Sequence, residues 1–307
     1  MPLPTLLALV ILPSSWLLER SGRLPAPAKA WAARLLIQLI YPCLILGSLP
    51  LSIQQNELLA LWPLPLATAI LLLLGRSVGR HALPYSQLQD EGQRRSFVFA
   101  AILPNYSYVP LLVAQALWGD RGMVLVMLSS VGADLILWTL AVSELSWQGR
   151  FDVKRLVNPP LISLVLSLFL ISSAGATLRA AAASFFPWFK LVGTITIPLS
   201  MFLLGVHLAR RTASLNDGRA QWLLLVWRLI LAPALMLLAL RTALPPLPVP
   251  AGAILLLVAS MPGAIVTVVL AEVYGASPDL AARHVFWGHL AWLVTGSFWL
   301  WLSTFTL

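Results

Sequence analysis

Ten apolar runs follow one another along this chain, each close to bilayer length and separated only by short polar stretches. They fall at residues 3–18, 30–50, 58–75, 96–118, 122–143, 158–174, 187–209, 220–242, 251–273 and 281–304. A helix rises ~1.5 Å per residue and a hydrocarbon core is ~30 Å thick, so about 20 apolar residues make one crossing. Each run therefore reads as a membrane helix. The run at 158–174 is short, and Asn158-Pro159-Pro160 marks its start, where proline's missing N–H would be unpaired anyway. Composition agrees: 59% of the 307 residues are hydrophobic and only 10% are charged, too few to clothe a water-facing domain.

The loop charges test the count. Loops one, three, five, seven and nine hold Arg20, Arg23 and Lys29; Arg76, Arg80, Arg94 and Arg95; Arg150, Lys154 and Arg155; Arg210, Arg211 and Arg219; and Arg283. The even loops hold only Arg121, Arg179, Lys190 and Arg241, and Arg34 and Arg228 fall inside runs. Cytoplasmic loops carry the excess of Lys and Arg, so the odd loops are expected inside and both termini outside. The net charge of +9 is spread over these loops rather than gathered into a patch, which speaks against nucleic acid as a partner. No basic residue precedes the first run, which reads as a membrane helix rather than a cleaved leader. The single cysteine, Cys43, excludes an intrachain disulfide and reads as a small buried hydrophobe.

The chain also repeats itself. Leu103-Pro104-Asn105 followed by Ala114-Gln115 and Trp118-Gly119 in the fourth run matches Met261-Pro262-Gly263 followed by Ala271-Glu272 and Tyr274-Gly275 in the ninth. Tyr41-Pro42 with Gly47 in the second run is echoed by Ile197-Pro198 with Gly205 in the seventh. A five-helix unit crosses an odd number of times, so its copy enters from the opposite side. The expected architecture is an all-α membrane protein of ten helices in two inverted five-helix repeats, residues 1–143 and 157–307, joined by a cytoplasmic linker at 144–156.

Two of the runs are broken. Pro104 and Pro110 bracket the polar stretch Asn105-Tyr106-Ser107-Tyr108, and Pro262-Gly263 interrupts the ninth run with Thr267 one turn on. A membrane helix that loses backbone bonds needs replacement partners, and matched breaks in inverted repeats point to a transporter's binding site. Asn105, Tyr106, Ser107, Tyr108, Pro110, Pro262, Gly263 and Thr267 are therefore the candidate substrate residues. Asp134 and His289 lie at near-equivalent places after Gly119 and Gly275; they suggest either an ion-coupling pair or a static helix–helix hydrogen bond. Arg228 is a candidate counter-charge for an anionic substrate, with snorkelling to the cytoplasmic interface as the alternative. Glu272, His207 and His284 are expected near the interfaces, as are Trp31, Trp62, Trp118, Trp147, Trp188, Trp222, Trp299 and Trp301.

No phosphate loop, HExxH, metal-ligand spacing or GxSxG elbow is present, so no enzyme chemistry is expected. No cofactor is implied beyond coupling to H+ or Na+.

These motifs resemble the auxin efflux carrier family, which includes plant auxin exporters and bacterial malonate or other organic-anion permeases. Met261-Pro262-x-Ala264 continuing to Leu270-Ala271-Glu272-x-Tyr274-Gly275 looks like the family's ninth helix. Asn158-Pro159-Pro160-Leu161-Ile162, Ile197-Pro198-Leu199 through Leu204-Gly205, and the spacing from Asn105 to Gly119 look like its sixth, seventh and fourth. The family's Gly-x-Pro in the fourth helix is missing; Pro110 stands two places early, and the substrate is left open.

The resemblance implies a scaffold of helices one, two, six and seven and a mobile unit of the others. Helices four and nine would cross at the site, as in the bile acid symporter and sodium–proton antiporter folds. Asn105, Tyr106, Pro110, Pro262 and Gly263 would line it, with Asp134 just behind. The expected function is alternating-access transport of a small organic anion, a carboxylate, across the bacterial inner membrane, with a homodimer as an open possibility. A cation–proton antiporter of the same fold and a non-transporting scaffold or sensor are the alternatives, and the lack of any output module weighs against a sensor.

Overall fold

Capping residues, prolines and glycines decide where each apolar run starts, bends and stops. The protein is described by a computed structural model over residues 3–146, 157–209 and 218–306. Most of the linker, with Trp147, Arg150, Lys154 and Arg155, and the loop residues Arg210 and Arg211 lie outside the described residues.

Among the described residues the structure is helical, with no strand beyond one isolated bridge. The helices are α1 Leu3–Arg20, α2 Ala26–Ser52, α3 Gln55–Ser86, α4 Glu91–Ile102, α5 Tyr108–Leu145 and α6 Pro159–Ile171. They continue with α7 Phe186–Leu208, α8 Gly218–Thr242, α9 Ala251–Ser260, α10 Val266–Val273 and α11 Pro278–Phe305. Side-chain caps start several of them. The Asp90 carboxylate accepts the Gln93 N–H ahead of α4, Asn158 accepts the Leu161 N–H ahead of α6, and Gln54 with Glu57 forms a capping box on α3.

Among the described residues six helices, α2, α3, α5, α7, α8 and α11, are long and apolar enough to cross a membrane on their own. A seventh span arises if α6 is counted with Ser173–Ala181, which folds away from it by 88°. Counted by length and composition alone, the described helices thus give six or seven spans, and the ten-helix repeat is not established by that count. The fourth and ninth runs are each split in two, because Pro104 and Pro262 have no N–H to continue a helix. The second half of the fourth run joins the fifth run in α5, which turns at Gly119 (φ 61°, ψ −149°).

The helices pack in two groups. One comprises α1 on α7 and α2 on α6 and α7; the other gathers α3, α4, α5, α8, α9, α10 and α11. Lipid tails offer no hydrophobic gain for helix association, so close approach has to come from small residues. A Cβ on Gly132 of α5 would lie 1.8 Å from the Pro65 carbonyl oxygen of α3, and one on Gly47 of α2 would lie 2.2 Å from the Lys190 nitrogen of α7. A hydroxyl pair, Thr68 Oγ1 with Ser129 Oγ at 2.8 Å, joins α3 to α5 inside the second group. Arg95 donates to the Leu145, Tyr274 and Gly275 carbonyls, closing the C-terminal ends of α5 and α10 together. Of the expected interfacial tryptophans, Trp31, Trp62, Trp188, Trp222 and Trp301 are exposed. Trp299 is buried instead, and its indole N–H finds the Leu229 carbonyl at 2.8 Å.

Candidate functional site

The two proline breaks meet. After α4 the backbone at Leu103 is extended, as it is at Met261 after α9. Pro104 and Gly263 face each other as an antiparallel bridge. The Asn105 N–H donates to the Pro262 carbonyl at 2.7 Å, and the Ala264 N–H donates to the Leu103 carbonyl at 3.2 Å. Each break supplies the partners that the other lost, which is how non-helical backbone survives away from water.

Four helix ends converge there. α4 and α9 arrive with their C-termini, and α5 and α10 leave with their N-termini. Neither starting end is capped by its own side chain: Ser107 before α5 and Ile265 before α10 make no such bond. A cavity of about 100 Å³ opens at these two N-termini. Its walls are Asn105 to Tyr108 and Ala264 to Val266 from the breaks; Asp134, Leu137 and Trp138 from α5; Ile37 and Tyr41 from α2; and Asn158 and Pro160 from α6. Both helix groups thus contribute. Uncapped N–H groups and the positive ends of two helix dipoles favour an anion in that space.

Its polar side chains are held in place. The Tyr106 hydroxyl donates to Asp134 Oδ1 at 2.6 Å. Ser130 gives its proton to the Met127 carbonyl, so in the 3.4 Å contact between Tyr41 and Ser130 the phenol is the donor. The Tyr41 ring also meets Tyr108 edge to face, centroids 6.0 Å apart. Just past Asp134, Leu137–Ala141 form a π turn, a local widening that recurs at functional positions in helices.

Asn105, Tyr106, Ser107, Tyr108 and Asp134 line the cavity; the other candidates do not. Asp134 and His289, anticipated as a pair, are engaged separately by neighbouring residues of one break. His289 Nε2 is 3.2 Å from Asn105 Nδ2, and its Nδ1 lies 2.7 Å from the Val285 carbonyl. That places the imidazole proton on Nδ1 and makes Nε2 the acceptor. Pro110 is buried in the first turn of α5, and the Thr267 hydroxyl is turned back to the Ala264 carbonyl at 2.6 Å. Pro262 contributes its carbonyl, and Gly263 packs against the His284 ring. His284 is fully buried, not interfacial, because only a residue without Cβ leaves room for that ring. Arg228 neither snorkels nor reaches the cavity: it is fully buried and donates from Nη2 to the Ala101 carbonyl at 2.5 Å.

Sequence reasoning missed Tyr41, Trp138, Asn158 and Ile265 as walls. Tyr41 and Asn158 carried a signal, one in the internal repeat and one as a polar residue opening an apolar run. Two larger hollows, of about 460 Å³ between α8 and α11 and about 520 Å³ beside Leu244–Pro250, have no break residue in their walls.

A family described as "Membrane transport protein" matches residues 3–154 and 145–300 of the chain. No curated protein matches it.

Proposed function

The chain belongs to the membrane transport protein family, which includes the auxin efflux carriers, and from that premise we propose that it carries a small organic anion, a carboxylate, by alternating access. The observation that carries this reading is the cavity at the two helix starts without side-chain caps, lined by Ser107, Tyr108, Ile265 and Val266. An anion gains there from two dipole ends at once, and the Asn105 side-chain amide adds a group to orient it.

In this reading the polypeptide crosses the membrane ten times as two inverted five-helix repeats, with both termini outside. The broken pairs α4–α5 and α9–α10 are the crossing helices. Gly119 and Gly275 support the repeat: each follows an aromatic residue, and each adopts φ 61° where its crossing helix ends. The group α1, α2, α6 and α7 is the scaffold, and the larger group moves past it. The cavity has walls from both, so sliding one group against the other opens it to one side and then the other. Asp134, held by Tyr106 in the cavity wall, is the residue through which a proton would be linked to transport.

Uptake of radiolabelled malonate and indole acetate into proteoliposomes, with and without a pH gradient, tests the proposal. Saturable uptake is expected. Acceleration by the gradient would establish proton linkage, and indifference would leave a uniporter. Sodium flux with no acid transported would replace this reading with a cation–proton antiporter, and absence of any flux would leave a scaffold.

A further inference from the structure

α4 stops at Ile102, and the Ala101 carbonyl loses the partner that a continuous helix would provide. In an unbroken helix that partner is the N–H of residue 105, four positions on. Here the Asn105 N–H is turned to Pro262. Two consecutive side chains of α8 take its place on Ala101: Arg228 Nη2 at 2.5 Å and Trp227 Nε1 at 2.9 Å. Both belong to the π turn Trp227–Leu231.

The guanidinium is more than a hydrogen-bond donor here. Arg228 is fully buried, and among the described residues no carboxylate forms an ion pair with it. Among the described residues its Nε and Nη1 have no hydrogen-bond partner, and neither has either ring nitrogen of the adjacent, equally buried His284. Arginine keeps its proton in such places. A full positive charge therefore stands behind the crossing, at the C-terminal end of α4. That end carries negative partial charge from its unpaired carbonyls and would otherwise favour a cation.

We propose that Arg228 is a positioning and selectivity residue for the transported anion, acting through the broken end of α4 without touching the cargo. Its guanidinium holds the Ala101 carbonyl, and so the register of the crossing. Its charge, with no ion-pair partner among the described residues, offsets the cation-favouring end of α4. The crossing then favours an anion over a coupling sodium ion. This rests on the carboxylate-transport reading above and adds to it the group that sets the sign of the cargo.

The experiment compares wild type with R228K, R228Q and R228A in proteoliposomes, measuring KM and Vmax for malonate, the effect of sodium, and rescue by millimolar guanidinium. The folded fraction is followed by size-exclusion chromatography. Wild-type uptake is expected to be independent of sodium. R228K should keep KM within a few-fold, and R228Q should raise it about tenfold or more and make uptake sodium-stimulated. Added guanidinium should restore R228A. An unchanged KM in R228Q, with Vmax falling only in proportion to folded protein, would reduce Arg228 to a structural cap and overturn the inference. If R228Q and R228A do not fold, the decision passes to wild type and R228K: sodium-dependent uptake by either overturns it, and sodium-independent uptake by both supports it. Absence of acid uptake by wild type is a failure of the transport reading itself, distinct from wild-type transport with an indifferent R228Q.

Discussion

The Asn105 amide donates to the Pro262 carbonyl at 2.7 Å, so the two proline breaks stand only as a pair. An unpaired backbone group away from water costs several kcal/mol, and either break alone would leave more than one. The site follows from that mutual repair: the unwound stretches pair with each other, and the helices that follow begin at a shared cavity.

Asn105 gives the first prediction. Asn105→Ala keeps the backbone bond to Pro262 and removes only the side chain that reaches His289. Malonate uptake should fall at least about tenfold in Vmax/KM while the protein still elutes as a folded species and loses only about 1–3 kcal/mol of stability, the cost of leaving the His289 Nε2 acceptor unpaired. Unchanged uptake would remove Asn105 from the site.

Asp134 separates charge from geometry. Asp134→Asn preserves an acceptor for the Tyr106 hydroxyl, now 2.6 Å from Oδ1, but cannot ionise. Uptake by this variant should lose its response to an imposed pH gradient. Tyr106→Phe should instead act on stability, lowering it by about 1–3 kcal/mol, because it leaves a buried acceptor without its donor. A D134N protein still accelerated by the gradient would end the proton-linkage idea.

Gly263 and His284 should behave as one unit. A Cβ on Gly263 would lie 2.6 Å from His284 Cδ2 and 3.0 Å from Nε2. Gly263→Ala is expected to cost about 1–3 kcal/mol through overpacking. Combining it with His284→Ala should recover most of that, which thermal unfolding in detergent would show as strong non-additivity. Additive effects would mean that the alanine is accommodated by moving the break rather than the ring.

Three glycines test shape against conformation. Around Gly119 and Gly275 an added Cβ meets nothing within 4 Å, so alanine there is penalised only by φ 61°. Each substitution should lower stability by about 1–2 kcal/mol, and the two should add. Gly132→Ala, with its Cβ 1.8 Å from the Pro65 carbonyl oxygen, should prevent α3 and α5 from packing and abolish the folded peak.

Much of the site could be read from the chain alone because proline and glycine act locally. Pro104 and Pro262 end a helix wherever they sit, and Gly119 and Gly275 mark turns by the φ that other residues avoid. Asn105 to Tyr108 stood out as polar residues inside an apolar run, and they do line the cavity. Arg228 and His284 were harder. Sequence placed Arg228 either at the substrate or snorkelling and His284 at an interface, yet both are buried elsewhere, because the broken end of α4 needed a donor and Gly263 left space for a ring. Nothing in their own spacing encodes a need created by another helix.

The sequence by itself determined that this is a helical membrane protein of the transport family and where two of its helices break, since bilayer thickness and missing N–H groups act on each segment independently. Only the tertiary structure decided that the breaks pair with each other, that Asp134 goes to Tyr106 and His289 to Asn105, and that Arg228 serves a carbonyl rather than the cavity. Those outcomes depend on which helix faces which, and that is set by small-residue contacts between segments far apart in the chain.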